Sequence, residues 1–328
     1  MQLTRVLSGR QAGWNPDLSV GAWVGISGAP QPGAPMMPSF FNFEPNTALW
    51  NAPNAQAMVQ ASSMAYGAAA DISGGFANWG FTGVDLVAGK DDILAVVASS
   101  PEVVLCSFRG TISEKDGSID MNNWMSDADA WQTPYQSYFQ GPALGGIHEG
   151  FAQALTQVWP GVMAAIAQAR TNAQPLWMTG HSLGGALAYL ATTVLTFGNR
   201  EPVNGLYTFG QPRLGDPGFC NQCDAAFGDA HYRFVNYQDI VTRVPPRIMP
   251  HIPIEYYGHS GRLAYFDKGG VPHTDEAFWN NFMAEVEVDA SNFAEQLTGA
   301  PIKDHFIANY ISVVTAAVTN GSLAKLGW

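Results

Sequence analysis

Residues 175–190 read Pro-Leu-Trp-Met-Thr-Gly-His-Ser-Leu-Gly-Gly-Ala-Leu-Ala-Tyr-Leu: a short apolar run, a glycine-flanked serine, and then a small-residue helical pattern. A G-x-S-x-G between a strand and a helix demands a sharp turn. Gly180 and Gly184 remove side chains that would collide in that turn, and the serine is forced into a strained backbone conformation. The turn lifts a hydroxyl above the C-terminal edge of a sheet, where the following helix aims its first amides. In a chain with 35 glycines the bare pattern arises easily by chance. The flanks on both sides make it informative. Ser182 is therefore the candidate nucleophile. His181, its neighbour, is expected to diverge from it and to pack.

The remaining sequence reads as alternating strands and helices. Apolar β runs fall at 93–98, 103–108, 176–179, 206–209 and 232–235, and helical patterns at 55–70, 151–170 and 183–196. Segments 252–257 and 262–266 look like a hairpin, and 275–296 and 305–318 like closing helices. This order predicts an α/β fold with a mostly parallel central sheet and helices on both faces. The length of 328 residues suits one large domain with a core that needs no staples. Residues 1–52, with Trp14, Trp23, Phe40, Phe41, Phe43 and Trp50, read as an irregular arm packed on a single catalytic body at 53–328.

A net charge of −12 without any Lys/Arg cluster excludes a nucleic-acid binder and disfavours anionic membranes, but carries no penalty at an uncharged ester surface. No 18-residue apolar stretch is present, so no transmembrane segment is expected. The first 30 residues lack the apolar core of a secretory signal. A soluble chain, secreted with its signal absent or cytoplasmic, is the expectation, with the compartment left open. Of three cysteines, Cys106 reads as part of a buried strand. Cys220 and Cys223 read as a loop pair without function, a local disulfide remaining open, and no zinc site is supported. Neither a metal nor an organic cofactor is called for.

Ester chemistry at a serine needs two amides for the oxyanion, and a histidine oriented by a carboxylate. Leu183 N–H follows the nucleophile directly, and Thr111 ends the 103–108 strand in Arg109-Gly110-Thr111. Asp239 follows the 232–235 strand, where catalytic loops cluster. His305 opens the final helix, and His259 is its strongest rival as base. His231, His251 and His273 read as structural or solvent-facing, and Asp304 as the cap of the final helix.

Six motifs then stand in order: Phe108-Arg109-Gly110-Thr111, Asn123-Trp124-x-x-Asp127, His148-x-Gly150-Phe151, Gly180 to Ala186, Phe209-Gly210-Gln211-Pro212-Arg213 and Asp304-His305. Together, over about 55–318, they resemble the class 3, or fungal-type, triacylglycerol lipases, which are α/β-hydrolases. The resemblance implies Ser182, Asp239 and His305 as a triad, and Thr111 with Leu183 at the oxyanion hole. It also implies a lid at about 112–131, with Ile112, Ile119, Met121, Trp124 and Met125 beside Glu114, Lys115, Asp116 and Asp120. The implied substrate is an acylglycerol or other ester at a lipid–water interface. A phospholipase A1, a feruloyl-type esterase and a non-catalytic lipid-binding relative are the alternatives. The sequence departs from the family in its longer lid segment, its N-terminal arm and its lack of the framework disulfide cysteines.

Overall fold

The computed structural model describes residues 42–47, 50–111, 131–249, 253–275 and 303–328. The expected lid residues Ile112, Ile119, Met121, Trp124 and Met125, the helix expected at 275–296 apart from its first residue, and His251 lie outside the described residues.

An eight-stranded sheet organises the chain. Its strands are β1 (Gly83–Ala88), β2 (Leu94–Ser99), β3 (Val104–Phe108), β6 (Leu176–His181), β7 (Gly205–Phe209), β8 (His231–Asn236), β11 (Arg262–Phe266) and β12 (Pro272–His273), in that spatial order, while β4 (Gln132–Pro134) and β5 (Gly146–His148) pair in a separate antiparallel ribbon. From β3 through β11 the neighbours are parallel, while β1, β2 and β12 are antiparallel additions at the edges. Interior parallel strands are covered on both faces, so they read as unbroken apolar runs. Val104, Cys106 and Phe108 enter one core and Val103 and Leu105 the other.

Against the first face pack α3 (Glu149–Ala169), α4 (Leu183–Thr193) and α5 (Pro217–Phe227); against the second pack α1 (Ala52–Met64), α2 (Ala69–Asn78) and α6 (Ile307–Thr319). The caps are legible locally. Asp216 accepts the Phe219 N–H at 2.7 Å with Pro217 at the first helical position, and Asn51 accepts the Asn54 N–H at 3.1 Å. The described part of the arm lies on the second face. Trp50 packs on Tyr207, Tyr232 and Trp328, Phe43 meets Trp177 edge-on, and the Trp177 indole donates to the Pro45 carbonyl at 3.0 Å.

Several sequence expectations need correction. The supposed hairpin of 252–257 with 262–266 does not form. β10 (Glu255–Tyr256) pairs back onto β9 (Ile248–Met249), and β11 runs parallel to β8 in the main sheet. Leu263, Ala264, Tyr265 and Phe266 are all buried, the pattern of an interior strand rather than of a ribbon arm. The 55–70 helix divides at Ala65–Gly67, and α4 ends at Thr193 in a wider π turn, Val194–Asn199. Cys220 and Cys223 lie on α5, not in a loop, and are buried free thiols whose burial pushes both pKa values up, Cys223 to about 12. Asp304 does not cap α6, whose N-cap position is Phe306.

Candidate active site

Ser182 sits between β6 and α4 with φ 59° and ψ −132°, a backbone region that L-residues adopt only when the surroundings enforce it. Three contacts enforce it. The Ser182 N–H donates to the Phe209 carbonyl at 2.9 Å. A β-carbon on Gly180 would run into the Gly184 carbonyl, and one on Gly184 into the Phe108 carbonyl. The two glycines are thus required by the close crossing of the turn over itself and over the end of β3.

The loop after β3 abuts the same turn. A β-carbon on Gly110 would lie 2.6 Å from the His181 carbonyl oxygen and 3.0 Å from Ser182 Cβ. Thr111, next in sequence, carries a buried hydroxyl without a hydrogen-bond partner. Leu183 is the first residue of α4, so its N–H has no acceptor within the helix. The two expected oxyanion residues therefore both adjoin the turn that carries the serine.

Asp239 opens a short 3-10 turn, Ile240–Arg243, at the carboxyl end of β8. Its Oδ1 accepts the Val241 N–H at 2.9 Å. Its Oδ2 accepts both His305 Nδ1–H at 2.8 Å and the Tyr310 hydroxyl at 2.5 Å. Asp239 and His305 are fully buried, and Tyr310 arrives from the first turns of α6. The Tyr310 oxygen also accepts the Asn236 N–H at 3.0 Å, tying the carboxylate to β8. Burial first, and the Asp239 charge second, push the Tyr310 pKa well above the ordinary phenol value, so it stays a donor.

With Nδ1–H given to Asp239, His305 presents Nε2 as a lone pair. That atom and Ser182 Oγ are both buried and have no hydrogen-bond partner among the described residues. The His305 ring stacks on His181, the residue before the serine, at a 4.6 Å centroid distance. Gly210, at φ 60°, is what lets β7 pass: a β-carbon there would lie 2.9 Å from both Asp239 Oδ2 and His305 Nδ1. Arg213 braces the far side of the acid loop, donating to the Pro245 carbonyl at 2.7 Å and to the Arg243 carbonyl. Burial, reinforced by Arg247, Arg233 and Arg243, pulls its pKa down to about 9.

Residues 105–249 match the family model of the class 3 lipases, a span that holds Thr111, Ser182, Leu183 and Asp239 and ends before His305. The matched span is less than half of the chain, and it shows a similarity to the class 3 lipases. It is 36% identical over 152 residues to a secreted mono- and diacylglycerol lipase of Fusarium solani, covering 45% of this chain and 43% of that protein. It is 33% identical over 165 residues to a lipase of Rhizomucor miehei, covering 47% and 41%. The chain thus spans less than half the length of these curated relatives. A solved Rhizomucor miehei lipase–propeptide complex superposes with a TM-score of 0.52 at 22% identity, over 77% of this chain and 79% of that one, which establishes the shared fold.

The rival base His259 is engaged elsewhere, its Nε2 donating to the Thr242 carbonyl at 2.7 Å. His231 is buried between Ser260 and Thr208, and His273 pairs with Asp267 at 3.1 Å on a half-exposed edge. His181 is more than packing. Its Nε2–H donates to the His305 carbonyl at 2.7 Å and its Nδ1 accepts the Tyr66 hydroxyl at 2.8 Å. Burial first, then the proximity of His305, hold its pKa well below the usual value, so the ring is neutral. Strand parity carried the signal: Thr179 and His181 share a face of β6, and Ser62 and Tyr66, four residues apart, meet them in turn. Among the described residues no group of His, Cys, Asp and Glu could hold a metal, and no helix is long and apolar enough to cross a membrane.

Proposed function

We propose that the chain hydrolyses carboxylic esters, with acylglycerols as the substrate class, by an acyl-enzyme route through Ser182, His305 and Asp239. The observation that carries this reading is the fully buried Asp239–His305 pair at 2.8 Å together with a strained serine whose buried hydroxyl has no hydrogen-bond partner among the described residues. His305 Nε2 takes the Ser182 proton as Oγ attacks the ester carbonyl carbon. The carbonyl oxygen gains the negative charge, and the N–H groups of Leu183 and Thr111 receive it. The intermediate collapses, the C–O bond to the alcohol breaks, and His305 returns the proton to the departing alkoxide. A water molecule, deprotonated by the same nitrogen, then attacks the acyl-enzyme and releases the acid. Asp239 holds the imidazole orientation and balances its charge in both halves.

The acylglycerol assignment takes its support from the mono- and diacylglycerol lipase among the relatives. The same relative is named as secreted, which favours an extracellular reading for this chain. We further read 53–328 as the catalytic body and 1–52 as an arm, supported by the packing of Phe43 and Trp50 on the sheet.

Hydrolysis of short-chain, long-chain and emulsified esters by wild type, Ser182→Ala and His305→Ala tests the reading. Both variants should lose about 10⁴-fold or more of kcat without unfolding. An active His305→Ala beside an inactive His259→Ala would transfer the base to His259. Preference for a phospholipid sn-1 ester or a feruloyl ester would replace the acylglycerol assignment while keeping the chemistry.

A further inference from the structure

The β9–β10 ribbon is built inside out. Ile248 pairs with Tyr256 across it, and Ile254 stands two residues before Tyr256, so all three share one face. They are 58%, 51% and 57% exposed respectively, while Met249 and Tyr257 on the opposite parity are buried together beneath the ribbon. A two-stranded ribbon facing water ordinarily turns its polar residues outward. Here the acid of the ribbon, Glu255, points inward, where its carboxylate accepts the Gln132 N–H at 3.1 Å. Gln132 also donates from its side chain to the Tyr256 carbonyl at 2.7 Å, which fixes the ribbon from its buried side.

The position of this face is as informative as its composition. The ribbon leaves the turn that Asp239 begins, at the carboxyl end of β8. The ribbon is therefore entered from the edge of the sheet that carries Ser182. The net charge of −12 opposes anionic surfaces and leaves uncharged ones unpenalised. A tyrosine among aliphatic side chains suits the boundary between headgroups and acyl chains.

We propose that Ile248, Ile254 and Tyr256 form a docking surface for an uncharged lipid–water interface, which holds the esters against the proposed hydrolase site. The proposal rests on the ester-hydrolase reading for its purpose, but its test needs no turnover.

The test is flotation of the full chain, in a Ser182→Ala background, with triolein droplets coated in phosphatidylcholine. Replacing Ile248, Ile254 and Tyr256 together by serine should lower the bound-to-free ratio about one-hundredfold, since each half-exposed side chain withdraws apolar area from the lipid. Val271→Ser, at a residue 50% exposed on the β11–β12 turn, should float as the parent does. Droplets coated with phosphatidylglycerol at low salt should bind the parent less well. With Ser182 restored, the triple variant should keep its kcat/KM on a soluble short-chain ester within about twofold of wild type. Undiminished flotation of the triple variant, equal loss in Val271→Ser, stronger capture by the anionic droplets, or a self-associated parent that the triple variant dissociates without any change in flotation would each overturn the proposal. Strong flotation by a chain that hydrolyses no ester would defeat the functional reading alone.

Discussion

Replacing His181 by phenylalanine separates a ring that merely fills space from one that holds the base. Phenylalanine keeps the stack on His305 but removes the donor to the His305 carbonyl and the acceptor for Tyr66. The Tyr66 hydroxyl is buried, so leaving it unpaired costs about 1–3 kcal/mol, and the lost bond to the carbonyl adds about 1 kcal/mol. A total of about 2–4 kcal/mol should appear as a lower urea midpoint at unchanged slope. The catalytic effect has a different origin. The His305 carbonyl belongs to the same residue as the base, so freeing it loosens the ring relative to Ser182. A displacement of about 1 Å costs about 10²-fold in rate, and the loss should fall on kcat rather than KM with a soluble short-chain ester. Two amides divide these effects. His181→Gln places a donor near Nε2 and should recover most of the kcat. His181→Asn places an acceptor near Nδ1 and should recover stability but not kcat. Wild-type kcat in His181→Phe, or equal recovery by both amides, would refute the assignment of His181 as a positioning residue.

Acid should unfold the chain through its buried histidines. His148 and His231 have pKa values held down to about 3, and those of His181 and His259 lie well below the ordinary value, burial being the first cause in all four. The unfolded chain binds protons near pH 6.5 and the folded one does not. Stability should therefore fall as pH drops below about 6.5 toward 3, at up to about 1.4 kcal/mol per pH unit for each histidine, which urea titration at stepped pH measures; flat stability from pH 6.5 to 4.5 would contradict it. Gly184→Ala should be destabilised by about 3 kcal/mol or fail to fold, because its β-carbon meets the Phe108 backbone, whereas Gly74→Ala, in open space on α2, should melt within a few degrees of wild type.

The sequence made the site more legible than its surroundings. Gly180 and Gly184 could be read as steric requirements because a strand-to-helix turn leaves so few alternatives, and the structure shows each glycine against a carbonyl. Asp239 and His305 were reachable because each borders a regular element, Asp239 after β8 and His305 just before α6. Tyr310 and Tyr66 were not, since what they do depends on helices crossing the sheet at one height, and neither has a local pattern. The 252–257 and 262–266 segments do not pair because four consecutive buried residues in β11 make it a strand covered on both faces, and that burial outweighs proximity in sequence. The ribbon of Ile248 and Tyr256 was hidden for the opposite reason, because exposed apolar residues look like core until their parity is known.

The central claim is that Ser182 is activated by His305, and covalent labelling reads this directly. Native protein treated with a fluorophosphonate should carry one adduct, located by peptide mass spectrometry on Ser182, and His305→Ala should label at least about a thousandfold more slowly. Unchanged labelling in His305→Ala, or an adduct on any other residue, would contradict the account.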